Sequence, residues 1–413
     1  MRSEGWYSGD TRCHFLTPHA ALLEAAAEDV AVVNLLAKDC VLASKGQREH
    51  RTFSNILAFS GQRPALEMPG HVVVVNTTNW HPTLGRLLLL NCHRPVYPLT
   101  FGGPAGEDDW TLADWCDQCH RKGGLVIGDD FFGHFPDSQY GELLADLILG
   151  KVDALQVSEF PRPDRGAHFH NSCAWALAEW LGSPKPPPLA EWYDLLSSGL
   201  HVPLVAGSGK ESNLGWLGSA RTYAQLEDGQ EFSHESWIEA VRAGRTFVST
   251  GPFLSLSVEG QGPGGLLELP SSGSRIRVRA EARNYRPIHR LEVLLGGAVV
   301  AEAEGTGSPA SAVIETEVAV PMAPLSEWLA ARCWGKDDDA PQGWTAAHTS
   351  GVYVQVEGKP TRPYRDIVDC YTRELDKTLA WVAHAARCDD KHRERLANIF
   401  RSAKEELVKR FTV

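Results

Sequence analysis

The sequence predicts an α/β protein: a distorted βα barrel over residues 1–251, a small antiparallel β-sandwich over 252–358 and a C-terminal helical hairpin over 359–413. Three observations carry this expectation. Up to about residue 250, short β-branched apolar runs alternate with stretches of helical period, the pattern of parallel βα units. After "TGPF" (Thr250–Phe253) the chain turns to Gly-, Ser-, Val- and Glu-rich alternating runs such as "SRIRVRAEAR" and "RLEVLLGG", which read as antiparallel strands. From Pro363 the apolar residues fall on single helical faces.

Taken in order, the expected strands are Arg12–Leu16, Val30–Leu35, His71–Val75, Arg86–Leu90, Leu125–Ile127, Ala154–Val157 and Val202–Val205. Each is short and apolar, and several are bounded by Gly or Asn. Helices are expected at Pro18–Glu28, Thr111–Lys122, Gly141–Leu149, His170–Leu181 and Leu189–Ser197. In a barrel, catalytic groups would gather at the C-terminal ends of the strands. In the hairpin, Ile367, Cys370, Tyr371, Leu375, Leu379 and Val382 share one face, and Leu396, Ile399, Phe400, Ala403 and Leu407 another, with "CDDKH" (388–392) as the turn. Such faces would pack on the sandwich or on a second subunit, so a homo-oligomer formed through the hairpin is an expectation. "PKPPPL" (184–189) reads as a stiff surface loop.

At 413 residues the chain exceeds one ordinary core. Its 43% hydrophobic and 22% charged content is that of a soluble protein. Runs such as Val72–Val75 and Leu87–Leu90 are too short to cross a membrane. The opening "MRSEGWYSGD" has no apolar leader, and nine cysteines, an odd number, suggest reduced thiols. A cytoplasmic location is therefore expected. The net charge of −12 argues against a general nucleic-acid binder.

The chemistry centres on "GDTRCHFLTPH" (9–19), where Asp10, Arg12 and His14 alternate along a strand and so face the same way. Together with "GWYSGDTRCHFLTPHAALLEAAAEDVAVVNLLA", the segments "GGLVIG", "LGKVDALQV", "VPLVAGSGKE", "EAVRAGRTFVSTGPFLSLSVEG" and "AAHTSGVYVQVEG" are similar to the CehA/McbA-like metallohydrolases, of the polymerase-and-histidinol-phosphatase type of fold. The resemblance spans nearly the whole chain. It implies a distorted barrel, a trailing sandwich and, in active members, a divalent-metal hydrolytic site. Where the family carries Asp-x-His-x-His, this chain keeps Asp10 and His14 but has Arg12 between them. Thr78 in "NTTN" stands where a Glu is aligned, Arg86 in "LGRLLLL" where a His is aligned, and "GDD" brings Asp129 and Asp130 to the expected Pro-His pair. The late acidic slot in "AGSGKE" holds Gly209.

Metals of this kind need carboxylate and imidazole donors converging at about 2.0–2.3 Å. Arginine is permanently charged and donates only, so Arg12 and Arg86 put positive charge where the cation would sit. Their guanidiniums suit carboxylate or phosphate oxygens, and Lys210 at the expected barrel mouth would add to the same field. The expectation is a metal-free, non-catalytic protein, either with the arginines paired internally to Asp10 or Asp130 or with a pocket for an anionic small molecule lined by Arg12, Arg86, Lys210 and Thr78. The alternative is an active hydrolase of an ester, amide or phosphoester with a rebuilt Zn, Mn or Fe site from Asp10, His14, Asp130 and His134, with His168 and His170 of "RGAHFHN" as further donors.

Other motifs read as structural. "CDQCH" (116–120) matches a haem-attachment pattern but lies in a helical run with no second axial ligand, so its thiols read as packing. "GSGKES" (207–212) lacks the first glycine of a phosphate loop and has Glu211 in the Ser/Thr place. Cys13 alternates away from His14, and His348 reads as an interface histidine.

Overall fold

A computed structural model describes residues 1–42, 50–102, 107–129, 131, 141–157, 189–271, 273–320, 327–337, 343–356 and 365–412. The chain opens with β1 (Trp6–Cys13), crosses over through α1 (Pro18–Ala27) and returns as β2 (Val32–Leu42), parallel to β1 with Asp10 opposite Val33. Thr17 starts α1 by accepting from the Ala20 N–H, and Pro18 occupies the first helical position, where a missing N–H costs nothing. β3 (His50–Ser54) runs back along β2, and β4 (Leu66–Met68) leads into β5 (His71–His81), which is parallel to β2. β6 (Gly85–Leu90) folds directly back on β5 and continues, antiparallel, to β7 (Leu125–Asp129), which follows α2 (Leu112–Arg121). α3 (Leu143–Ile148) leads to β8 (Ala154–Val157), and α4 (Ala190–Ser197) to β9 (Leu204–Ala206); β7, β8 and β9 are parallel. β10 (Arg221–Gln225) pairs antiparallel with β1, and after α5 (His234–Arg242) β11 (Thr246–Ser249) pairs antiparallel with β10.

The expected βα barrel is therefore corrected. Seventeen of the described strands join into one mixed sheet, and β6 runs against both of its neighbours, which a parallel barrel does not allow. The reason lies in "NWHPTLGR": with only three residues between β5 and β6 there is no room for a crossover helix, so the second strand must return as a hairpin. β11 then passes its free edge to a late strand instead of closing onto a barrel neighbour.

Beyond residue 252 the strands are β12 (Phe253–Val258), β13 (Leu266–Leu269), β14 (Arg275–Asn284), β15 (Arg290–Leu295), β16 (Ala298–Ala303), β17 (Ala310–Ala319), β18 (Glu327–Lys336), β19 (Trp344–Thr349) and β20 (Val352–Val356). β12, β14 and β17 make a separate three-stranded antiparallel sheet, and the others join the large one. On β14 the period of two is clean: Ile276, Val278, Ala280 and Ala282 are buried, while Arg275, Arg277 and Arg279 face out and pair with Glu317, Glu259 and Glu315. The inward residues meet Leu291, Val293, Leu329 and Ala331 of the large sheet in one core. Across the expected boundary at 251/252 the large sheet is continuous, with Val248 of β11 opposite His348 of β19.

Two antiparallel-running helices close the chain, α6 (Arg365–His384) and α7 (Asp390–Thr412). The hairpin docks on the α2–α3 side rather than chiefly on the second sheet. Arg410 donates to the Ile148 carbonyl at 3.1 Å, and Asp108 exchanges two bonds with the Arg387 backbone at 2.7 and 2.8 Å. Tyr371, Leu375, Phe400 and Leu407 share a core with Trp115 and Leu144. No helix among the described residues is long and apolar enough to cross a membrane.

Candidate functional site

Asp10 sits at the centre of β1, fully buried. Its Oδ1 accepts from the N–H groups of Arg12 and Ser208, both at 3.0 Å; its Oδ2 accepts from the Gly218 N–H at 3.0 Å and from the Ser208 hydroxyl. A carboxylate has about four lone-pair positions, and here all of them face donors. Burial raises this carboxyl above its ordinary value, with the four hydrogen bonds opposing the shift. A proton would have to displace one of those donors. So would a metal ion.

The backbone is shaped for this closure. A Cβ on Gly207 would lie 2.4 Å from the Arg12 nitrogen and 2.6 Å from Asp10 Oδ1, so only glycine lets the loop approach. Gly209, in the expected acidic slot, has a left-handed φ of 61° and donates its N–H to the Arg12 carbonyl at 2.8 Å.

Arg12 is buried, with its Nε 3.2 Å from Asp129 Oδ2; Arg86 Nη1 lies 3.5 Å from the same oxygen. Asp129 ends β7, fully buried, and is in register with Arg86. Both arginines are thus tied to Asp129, while the Asp10 carboxylate, one of the two partners expected for them, is taken by backbone N–H groups and the Ser208 hydroxyl. The Arg86 guanidinium also lies 5.8 Å from the Trp80 ring centroid. Lys38 joins these cations at the strand ends through an ion pair to Glu211 at 2.9 Å. Burial, then the charges of Arg12, Lys38 and Arg86, push the His14 imidazole well below its ordinary value, so it is neutral at physiological pH. Burial works to raise the Glu211 carboxyl, but the Lys38 hydrogen bond and the charges of Lys38, Arg12 and Arg86 bring it below the usual range.

Two expected pocket residues turn elsewhere. Lys210 donates to the Gly215 carbonyl at 2.6 Å and pairs with Glu24 of α1 at 3.1 Å, so its charge is spent against α1. The Thr78 hydroxyl donates to the Leu87 carbonyl at 3.3 Å, in the β5–β6 ladder. Asp130, His134, His168 and His170 lie outside the described residues.

Residue reading overlooked the polar spine behind Asp10. Asn34 donates to the Asp10 carbonyl at 3.3 Å, while its Oδ1 receives Asn76 Nδ2 at 3.1 Å and His234 Nε2 at 3.2 Å. Burial lowers His234 to about 4. The signal was present in "VVNLL" and "VVVVN", an amide inside an apolar strand, which demands a buried partner. Ser208 and Gly218 carried no such signal.

His348 lies between α4 and the large sheet. Its Nδ1 donates to the Thr349 carbonyl at 2.7 Å and its Nε2 faces the Tyr193 hydroxyl at 2.8 Å; Arg332 donates to that hydroxyl at 3.1 Å and pairs with Glu292 at 2.8 Å. Burial takes His348 to about 3. In "CDQCH", Cys119 sits 3.2 Å, sulfur to sulfur, from Cys92, and His120 pairs with Asp153 at 2.9 Å.

No protein-family model and no curated protein matches the chain. Among solved structures it is similar to the CARDB domain of a Pyrococcus furiosus protein, determined by solution NMR, with 13% identity over 25% of this chain and 96% of that one, at a TM-score of 0.17. A score that low supports no inference about fold or function.

Proposed function

We propose that this chain is a non-catalytic protein, a relative in sequence of the CehA/McbA-like metallohydrolases, in which the strand-end groups that would serve a metal hold the structure together instead. The observation that carries the reading is the full commitment of Asp10, whose two oxygens meet four donors within the chain. Arg12 at the middle position supports it, since its guanidinium is engaged with Asp129 and offers no lone pair. The groups described at this end therefore do not fit a divalent metal, and no hydrolytic step is drawn through one.

A second reading, an anionic small molecule held at the same end, is favoured by the gathering of Arg12, Arg86 and Lys38 there, close enough that all three charges bear on His14.

The test is metal content by plasma mass spectrometry after expression with Mn, Fe and Zn supplied, beside an Arg12→His, Gly209→Asp variant. The expected result is far less than one metal per wild-type chain. Near-stoichiometric metal in the wild type would overturn the non-catalytic reading. A melting temperature raised by millimolar phosphate or citrate, and not by chloride of equal ionic strength, would favour the second reading.

A further inference from the structure

Cys119 belongs to "CDQCH", yet the sulfur it meets is that of Cys92, 27 residues earlier and just past β6. We propose that Cys92 and Cys119 form a reversible dithiol–disulfide site that staples α2 to the end of β6.

The geometry is set by the backbone around the pair. The two sulfurs are 3.2 Å apart, so a bond of about 2.05 Å needs them to close by only roughly 1.2 Å. Both flanks are already cross-linked by hydrogen bonds: the His93 N–H and ring Nδ1 meet the Lys122 carbonyl at 3.1 and 2.9 Å, and Asn91 Nδ2 donates to the Gly123 carbonyl at 3.3 Å. Gly124 supplies the space. A Cβ there would lie 2.4 Å from the Cys92 sulfur and 2.5 Å from that of Cys119. Closure therefore asks for side-chain rotation within a fixed frame. The other thiol of the motif, Cys116, is buried on the same helix, one turn before Cys119.

With hydrogen peroxide as oxidant the step balances. The Cys92 thiolate attacks a peroxide oxygen, the O–O bond breaks, and the hydroxide released takes a proton, leaving a sulfenic acid. The Cys119 sulfur then attacks the Cys92 sulfur; the S–S bond forms, the S–O bond breaks, and the Cys119 proton leaves with the oxygen as water. In sum two thiols and one peroxide give one disulfide and two waters. A dithiol such as dithiothreitol reverses it by exchange. Burial, followed by the contact with Cys92, raises the Cys119 thiol well above its ordinary value, consistent with a resolving rather than an attacking role and with slow oxidation.

The experiment treats the native full-length chain with hydrogen peroxide, blocks the remaining thiols under denaturing conditions, and maps the linked peptides by mass spectrometry. The expected product is a Cys92–Cys119 linked pair, removed by dithiothreitol. The oxidised chain should also melt on the order of 5 °C higher than the reduced one. A bond between Cys116 and Cys119, a stable sulfinic acid at either residue, or full recovery of both free thiols would overturn the proposal. So would a Cys92–Cys119 bond that forms only in denaturant. These readouts use the wild-type chain and do not depend on a variant that folds. A Cys119→Ser chain, if folded, should lose both the linked peptide and the shift in melting.

Discussion

Replacing Asp10 by asparagine separates a structural carboxylate from a retained functional one. The change keeps the shape of the side chain but converts one oxygen to an amide nitrogen. Whichever way the amide turns, two donors lose their acceptor: Arg12 N and Ser208 N on one side, or Gly218 N and the Ser208 hydroxyl on the other. Each buried donor left without a partner costs about 1–3 kcal/mol. Rotation of the Ser208 hydroxyl recovers part of that on its own side. The expected loss is therefore about 2–5 kcal/mol, large for a single substitution. Denaturant unfolding followed by the fluorescence of the chain's 13 tryptophans would report it as a lower midpoint. Groups kept for catalysis are often strained, and their removal commonly stabilises. An Asp10→Asn chain as stable as the wild type, or more so, would refute the idea that the four donors make Asp10 a structural anchor.

Arg12→Met should cost about 3–5 kcal/mol by removing a charge from the buried pair with Asp129, and adding Asp129→Leu should restore part of it; strictly additive losses in that double-mutant cycle would deny the coupling. Gly9→Ala should destabilise by at least about 1–3 kcal/mol, because its Cβ would lie 2.3 Å from the Trp237 ring that packs α5 on β1; an unchanged melting temperature would contradict the packing. Burial raises Glu142 to about 7 and, with the Glu142 charge second, raises Asp146 well above its ordinary value, and the Asp146 carboxyl has no hydrogen-bond partner among the described residues. A carboxyl raised on folding gives stability that is present in acid and lost as pH rises. Asp146→Asn should therefore gain on the wild type between pH 5 and 8, by about 1–3 kcal/mol at the upper end, and a stability difference independent of pH would contradict it.

What the residues disclosed divides along the reach of the interactions. Strand positions such as Arg86–Leu90 and Ala154–Val157 recur in the structure as Gly85–Leu90 and Ala154–Val157, because β-branched and apolar runs report burial directly. The helical hairpin was legible for the same reason. The direction of β6 does not follow from the alternation of strand and helix, because no helix intervenes between His81 and Gly85. At the site, the sequence marks Arg12 and Gly209 as departures from the pattern the chain resembles, but it names neither Asp129 as a partner of Arg12 nor Glu24 as the partner of Lys210. Pairings between side chains this far apart in sequence depend on how strand ends converge. The four donors to Asp10 were invisible for a simpler reason, three of them being backbone N–H groups, which every sequence carries alike.

The placement of β1 has a consequence for how the chain assembles. Trp6 pairs with Gln225 and Phe247 with Thr349, so the first strand acquires its antiparallel neighbour only after more than half the chain exists, and that neighbour's own partner is completed later still. Contacts of such sequence separation slow folding through the cost of closing large loops. Until residue 225 emerges, one edge of β1 is an open template for pairing with other chains. During synthesis the N-terminal half therefore exists for a long interval without the antiparallel partner of β1, leaving a strand edge of the kind that favours pairing between chains.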